Sequence, residues 1–143
     1  MLHHENLRGR FNPFGQPPRA VSALPKWRLI RVLRYIEMNI GESITLANLA
    51  ATAGLSRMYF AKQFRVSTGV RPHDFVLRKR IERAQQLLGA TSDTLVEIAL
   101  SVGFQTQAHF TTVFKKIAGN TPCQFRREHR RAGMRMSLPQ WAA

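Results

Sequence analysis

The feature that most constrains this 143-residue chain is an internal repeat. The segment TLANLAATAGLSRMYFAKQFRVSTGVRPHDF begins at Thr45, and TLVEIALSVGFQTQAHFTTVFKKIAGNTPCQF begins at Thr94. Thr45 matches Thr94, Ala50 matches Ala99 and Gly54 matches Gly103, after which the second copy gains one residue. Phe60 then matches Phe110, Phe64 matches Phe114, Gly69 matches Gly119, Pro72 matches Pro122 and Phe75 matches Phe125. Two copies are too few for a solenoid, so the repeat reads as a duplicated functional unit.

Each copy carries the same local physics. Thr45 and Thr94 suit the N-cap position, where a side-chain oxygen accepts from an amide that the first helical turn leaves unpaired. Thr94 with Glu97 makes a capping box. A short apolar helix follows in each copy (Leu46, Leu49, Ala50; Leu95, Ile98, Ala99), and the alanines at 50 and 99 let a second helix cross closely. Gly54 and Gly103 supply the left-handed residue that follows a helix. Ser56 and Thr106 cap a second helix with phenylalanines four apart on one face. Gly69 and Gly119 end it, and Pro72 and Pro122 open a further helix at its first position. Helix, glycine turn, helix is the helix-turn-helix plan.

Around the repeat, Leu29, Val32, Leu33, Ile36 and Ile40 recur at helical spacing, and Gly41 is expected to close that first helix. Pro72 to Leu88 reads as one long helix whose apolar residues are Phe75, Val76, Ile81, Ala84, Leu87 and Leu88. It would hold the two second helices at a fixed separation. In its Arg78-Lys79-Arg80 run, Arg78 and Lys79 read as a solvated face and Arg80 as the member available for a buried ion pair. The expected architecture is all-α, about seven helices, as two helix-turn-helix subdomains joined by a long linker helix. The expected divisions are a flexible basic arm over 1–24, a first subdomain over 25–71, the linker over 72–89, a second subdomain over 90–131 and a flexible tail over 132–143.

At 100° per residue, Phe60 and Phe64 point to one side of the first unit's second helix, and Met58, Ala61, Lys62 and Arg65 gather on the other. In the second unit Phe110 and Phe114 face inward, with Ala108, Thr111, Thr112 and Lys115 outward and Gln107 at the N-terminal end. Faces of small, polar and basic residues suit entry into a DNA major groove about 12 Å wide. Lys62 fits guanine O6 or N7, Gln107 fits adenine, and Met58, Ala61, Ala108 and Thr111 offer apolar contact to thymine methyls. Thr112 completes the base-facing set. Ser56, Arg57, Arg65, Thr106, Lys115 and Lys116 are placed for phosphates, which fix register without reading sequence. Two such helices in one DNA face would sit about 34 Å apart.

Charge agrees with a polyanionic partner. Lys plus Arg number 22 against 8 acidic residues, a net charge of +14. Charge alone would equally suit an anionic membrane or an acidic protein, and a basic helical module that binds an acidic protein of the transcription machinery is the rival reading. The arginines Arg126, Arg127, Arg130, Arg131 and Arg135 would track a DNA backbone or belong to a solvated tail. Cys123 stands alone, so no internal disulfide can form; it reads as a small packing residue in a reducing compartment. His109 matches Tyr59, a packing position. There is no nucleophile–base pairing, phosphate-cradling glycine loop or metal-ligand spacing, so neither an enzyme nor a metal or cofactor is expected. No stretch approaches the ~20 apolar residues that span a bilayer, and a cytoplasmic, nucleoid-associated protein is expected.

The segments RVLRYIEMNIGESITLANLAATAGLS, FAKQFRVSTGVRPHDFV, RIERAQQLL and EIALSVGFQTQAHFTTVFKKIAGNTPCQFRR resemble the DNA-binding domain of the AraC/XylS family, over about residues 28–131. The more specific copy is the second, whose IA…VGF…FxxxFKK..G.TPxxFR pattern is a strong signature. The resemblance implies seven helices in two three-helix subdomains joined by the long helix, and a bacterial transcription regulator of the activator kind. It implies monomer-capable binding of double-stranded DNA on an asymmetric site of about 20 base pairs, often with DNA bending and contact to RNA polymerase. Members often carry Trp, Gln or Arg on the first reading face, where this chain has Met58, Ala61 and Lys62, and Thr112 stands where Arg or Ser is frequent. Phosphate contacts and DNA shape are therefore expected to carry more of the affinity.

Overall fold

A serine or threonine begins each of the four helices of the repeat, and in each the hydroxyl oxygen accepts from the backbone N–H three residues on. These caps mark the starts of α2 (Leu46–Ala53), α3 (Arg57–Thr68), α5 (Leu95–Ser101) and α6 (Gln107–Ala118). α1 (Lys26–Met38) precedes the first pair. α4 (Pro72–Ala90) joins the pairs, and α7 (Pro122–Ser137) ends the fold. The computed structural model describes residues 20–137, and among the described residues these seven helices are the only regular elements.

Within each unit the turn is built the same way. Leu55 N–H donates to the Ala50 carbonyl, five residues back, and Phe104 N–H donates to the Ala99 carbonyl. Gly54 (φ 71°) and Gly103 (φ 94°) lie just before these donors, in the left-handed region that the motif requires. Leu55 and Phe104 then fold back onto the cores.

There are two cores, and α4 belongs to both. Val32, Ile36, Leu49, Ala50, Ala53, Phe60, Phe64 and Val76 form the first. Ile81, Ala84, Leu88, Ile98, Ala99, Val102, Phe104, Phe110 and Phe114 form the second. The alanines at 50 and 99 are buried in these cores. The second helix of each unit is locked by rings. Phe60 lies 5.4 Å from Phe64, which meets Phe75 edge-on at 5.2 Å. The second unit has a longer chain of rings, Phe104–Phe110–Phe114–Phe125, at 5.4–5.8 Å.

Several long-range details differ from expectation. Gly41 does not close α1. The helix ends at Met38 with Asn39 as its cap, and Gly41 instead packs against the second unit, where an added Cβ would lie 2.7 Å from the Ser101 carbonyl oxygen. Arg80 makes no ion pair: its Nη2 donates to the Glu42 carbonyl at 2.7 Å. Lys79 is the residue of that run that pairs, with Glu82 at 3.0 Å. Arg126 is half-buried rather than part of a solvated tail: its guanidinium donates to the carbonyls of Leu88, in the last turn of α4, and of Thr91 and Asp93 just beyond it. Cys123 is exposed, on the first turn of α7, and fills no gap in the core.

The ends of the chain differ too. Most of the arm expected over 1–24 lies outside the described residues, but Leu24 is buried in the first core and its N–H donates to Ser67. Buried Gln63 donates to Ser22, so residues 22–24 are tied to α3. α7 continues to Ser137, past residue 132 where a tail was expected, since no proline interrupts it before Pro139. Residues 138–143 lie outside the described residues.

Candidate nucleic-acid interface

The phenylalanine pair of each reading helix decides what its other side can show. With Phe60 and Phe64 fully buried, the direction opposite them on α3 falls on Lys62, with Met58 and Arg65 together on one side of it. All three are exposed, Met58 by 70%, and Ala61 is half-buried at the edge. On α6, with Phe110 and Phe114 buried, the opposite direction falls on Thr112, flanked by Ala108 and Lys115, all exposed. Thr111 is half-buried at that edge. Gln107 and Lys116 are exposed and about 180° apart around the helix: Lys116 lies about 40° from Thr112, whereas Gln107, the first residue of α6, lies about 140° from it, toward the phenylalanine side.

The capping residues have a second capacity. Ser56 Oγ accepts from Tyr59 N–H at 3.3 Å and Thr106 Oγ1 accepts from His109 N–H at 3.1 Å, which leaves both hydroxyl protons to donate outward. Thr112 is spent in the other direction. Its Oγ1 donates to the Ala108 carbonyl at 3.0 Å, leaving an acceptor and a methyl group for a partner. Arg57 is exposed at the start of α3, where helix amides also point outward.

Beside α3 lies an apolar cleft of about 380 Å³, whose floor includes Ile44, Leu49, Pro72 and Val76. Ala61, Lys62 and Arg65 form one wall, and Arg71 and His73 another. Arg71 and His73 escaped the sequence reading; they stand on either side of Pro72, which opens α4. His109 is exposed and meets Phe104 edge-on at 5.3 Å, so half of the expected packing role holds. Among the described residues no group of three or more His, Cys, Asp or Glu is placed to hold a metal, and no helix is long and apolar enough to cross a membrane.

Two helix-turn-helix units, each showing one face of a helix that its neighbours hold rigid, define the class of this protein. The comparisons place it further. The helix-turn-helix domain family matches residues 49–128, more than half of the chain. The HTH-type transcriptional regulator MtrA of Neisseria gonorrhoeae is 39% identical over 80 residues, which cover 56% of this chain and 27% of MtrA. An AraC-type DNA-binding domain protein from Chromobacterium violaceum superposes with a TM-score of 0.69 at 30% identity, covering 73% of this chain and 93% of that one. The DNA-binding domain of AdpA, a global transcriptional factor solved with a target DNA, superposes with a TM-score of 0.70 at 28% identity, covering 73% of this chain and 95% of that domain. The chain belongs to the AraC-type helix-turn-helix family of DNA-binding transcription regulators. It spans between 13% and 39% of the length of several other curated relatives.

Proposed function

We propose that this chain grips double-stranded DNA as a monomer by seating α3 and α6 in successive major grooves. The observation that carries the reading is the duplicated geometry: in both units the side of the helix opposite the phenylalanine pair is exposed, and in neither does a bulky aromatic residue obstruct its centre. The AdpA domain, whose fold this chain shares, was solved with a target DNA, which supports the same use here.

The chemistry divides between the faces. Lys62, a donor only, would bond guanine O6 or N7, with Met58 and Ala61 against thymine methyls. Thr112 would present its methyl or accept from a base amino group, with Ala108 and Thr111 beside it and Gln107 reading adenine at the N-terminal flank. Ser56 and Thr106 would donate their free hydroxyl protons to phosphates. Arg57, Arg65, Lys115 and Lys116 would neutralise others, with Arg71 added to the set.

Selection of preferred duplexes from random DNA, followed by footprinting, tests the reading. Two protected major-groove patches about one helical turn, ~10 base pairs, apart are expected. Affinity should fall linearly with salt on a log–log plot. One protected patch, or no duplex bound at low salt, would refute it.

A second reading has its own observation. Trp27, Ile30 and Met38 are exposed on α1 (55%, 39% and 84%) beside exposed Arg31 and Arg34. An apolar stripe edged with positive charge suits an acidic protein surface, such as one on RNA polymerase, and a regulator can use that face while α3 and α6 hold DNA.

A further inference from the structure

The two units touch at a second place besides α4. Three segments meet there: the loop after α1, the turn between α5 and α6, and Arg80 midway along α4. Arg80 stands between Val76, which belongs to the first core, and Ile81, which belongs to the second. Its Nη2 donates to the Glu42 carbonyl of the first unit at 2.7 Å. Its Nε is buried and has no hydrogen-bond partner. Burial also lowers its pKa from the ordinary arginine value. A buried unpaired donor is uncommon enough to call for a reason.

The glycines on either side show how close the contact is. A Cβ at Gly103 would lie 2.8 Å from Arg80 Cζ and 2.7 Å from the Ile40 carbonyl oxygen. A Cβ at Gly41 would lie 2.7 Å from the Ser101 carbonyl oxygen. Two of these three contacts are with backbone, which cannot swing aside as the end of a flexible side chain can. A helix can curve gently along its length, so α4 alone leaves the relative orientation of the units some freedom. A second contact off the helix axis removes that freedom.

We infer that this clasp, with Arg80 on the Glu42 carbonyl and Gly41 and Gly103 as its seats, sets the angular phase between α3 and α6 and so selects the spacing of the two DNA half-sites. The inference rests on the two-groove reading, and Arg80 acts in it as a positioning residue. Arg80→Met keeps the apolar stem and removes every donor. Gly41→Ala disturbs the same joint from the far side without altering Arg80. Each is measured against a selected duplex and against the same duplex with one base pair inserted between the half-sites.

The insertion shifts the second half-site by about 3.4 Å and turns it by about 34°. The unaltered protein should lose affinity on the order of a hundredfold, because the second engagement is an intramolecular event worth about 10²–10⁴. Both variants should lose less than about tenfold on the same insertion. A loss equal to that of the unaltered protein overturns the inference, and so does a variant weakened by one factor on both spacings, as simple destabilisation would produce.

A measurement without DNA separates the clasp from the two-groove reading. Spin labels at Val66→Cys on α3 and Ile117→Cys on α6, in a Cys123→Ser background, report the separation of the reading helices. One narrow distance distribution is expected, broadened or displaced by Arg80→Met and narrowed again by Arg80→Lys, which restores one donor. Identical distributions overturn the clasp. If no duplex binds at all, the two-groove reading fails while the label distances still decide the clasp.

Discussion

At the centre of its exposed face the first unit places Lys62, and at the equivalent point the second places Thr112. The frames behind them are alike: the same glycine turn, the same buried alanine, the same phenylalanine pair. The units thus share a scaffold but differ in the face it exposes. The first face is donor-rich, with Arg65 beside Lys62 and Arg71 across the cleft. The second is small, with the Thr112 hydroxyl already committed to its own helix. The second unit is the better braced of the two, with four linked rings and a reciprocal capping box at Thr94. A face that reads little can still hold a fixed position, and a strongly braced helix suits that task.

The largest effect should come from the equivalent buried rings of the two cores. Phe60→Ala and Phe110→Ala each remove a fully buried ring, and each should destabilise the chain by about 3–5 kcal/mol. Because α4 contributes to both cores, denaturant unfolding should stay a single transition in both variants, with a lower midpoint and an unchanged slope. Two resolved transitions in the Phe110→Ala protein would mean that the units fold independently, and the comparison would then be between two domains.

The faces themselves come next. Lys62→Ala should cost about 1–3 kcal/mol on the preferred duplex and relax the preference at one base position. Lys115→Ala should weaken all duplexes alike and lower the salt slope by about 1. Competition binding against a panel of single-base variants reads both. If Lys115→Ala changes the base preference and Lys62→Ala does not, the assignment of reading and positioning faces is reversed.

What the chain discloses before folding follows from the range of each interaction. Caps, glycine turns and phenylalanine faces act over three to five residues, so a pattern in the string is enough to find them. The contacts that escape it are remote in sequence. Arg126 reaches carbonyls 33 to 38 residues away, and Arg80 reaches Glu42 across 38. An arginine bonded to a distant carbonyl leaves no periodic signal, and in a chain with 22 basic residues it looks like surface. Gly41 misleads for the same reason: a glycine after a helix resembles a terminator, and the backbone it makes room for lies 60 residues on. Leu24 precedes the helix, and its apolar neighbours at i−3 and i+3, Val21 and Trp27, are themselves exposed, so spacing does not reveal its burial.

The smallest predicted difference lies in the caps. Thr94→Ala removes the oxygen that accepts from Glu97 N–H at 3.2 Å, and Thr45→Ala removes the one that accepts from Asn48 N–H at 3.1 Å. Each should cost about 1 kcal/mol, since both sites are exposed and water can replace part of the lost bond. The units part at the third helical position. Glu97 returns a bond to the Thr94 N–H at 2.8 Å and places a carboxylate at the positive end of α5. Asn48 carries no charge; its Oδ1 accepts from the Thr45 hydroxyl rather than from the Thr45 N–H, and its Nδ2 donates to the Tyr35 hydroxyl at 3.1 Å. Glu97→Gln keeps the hydrogen-bond geometry and removes only the charge, so it should cost about 0.3–1 kcal/mol at low salt and less as salt is raised. A thermal melt at two ionic strengths reads this directly. A salt-independent loss would assign the Glu97 contribution to geometry alone, leaving the second unit's brace no more electrostatic than the first's.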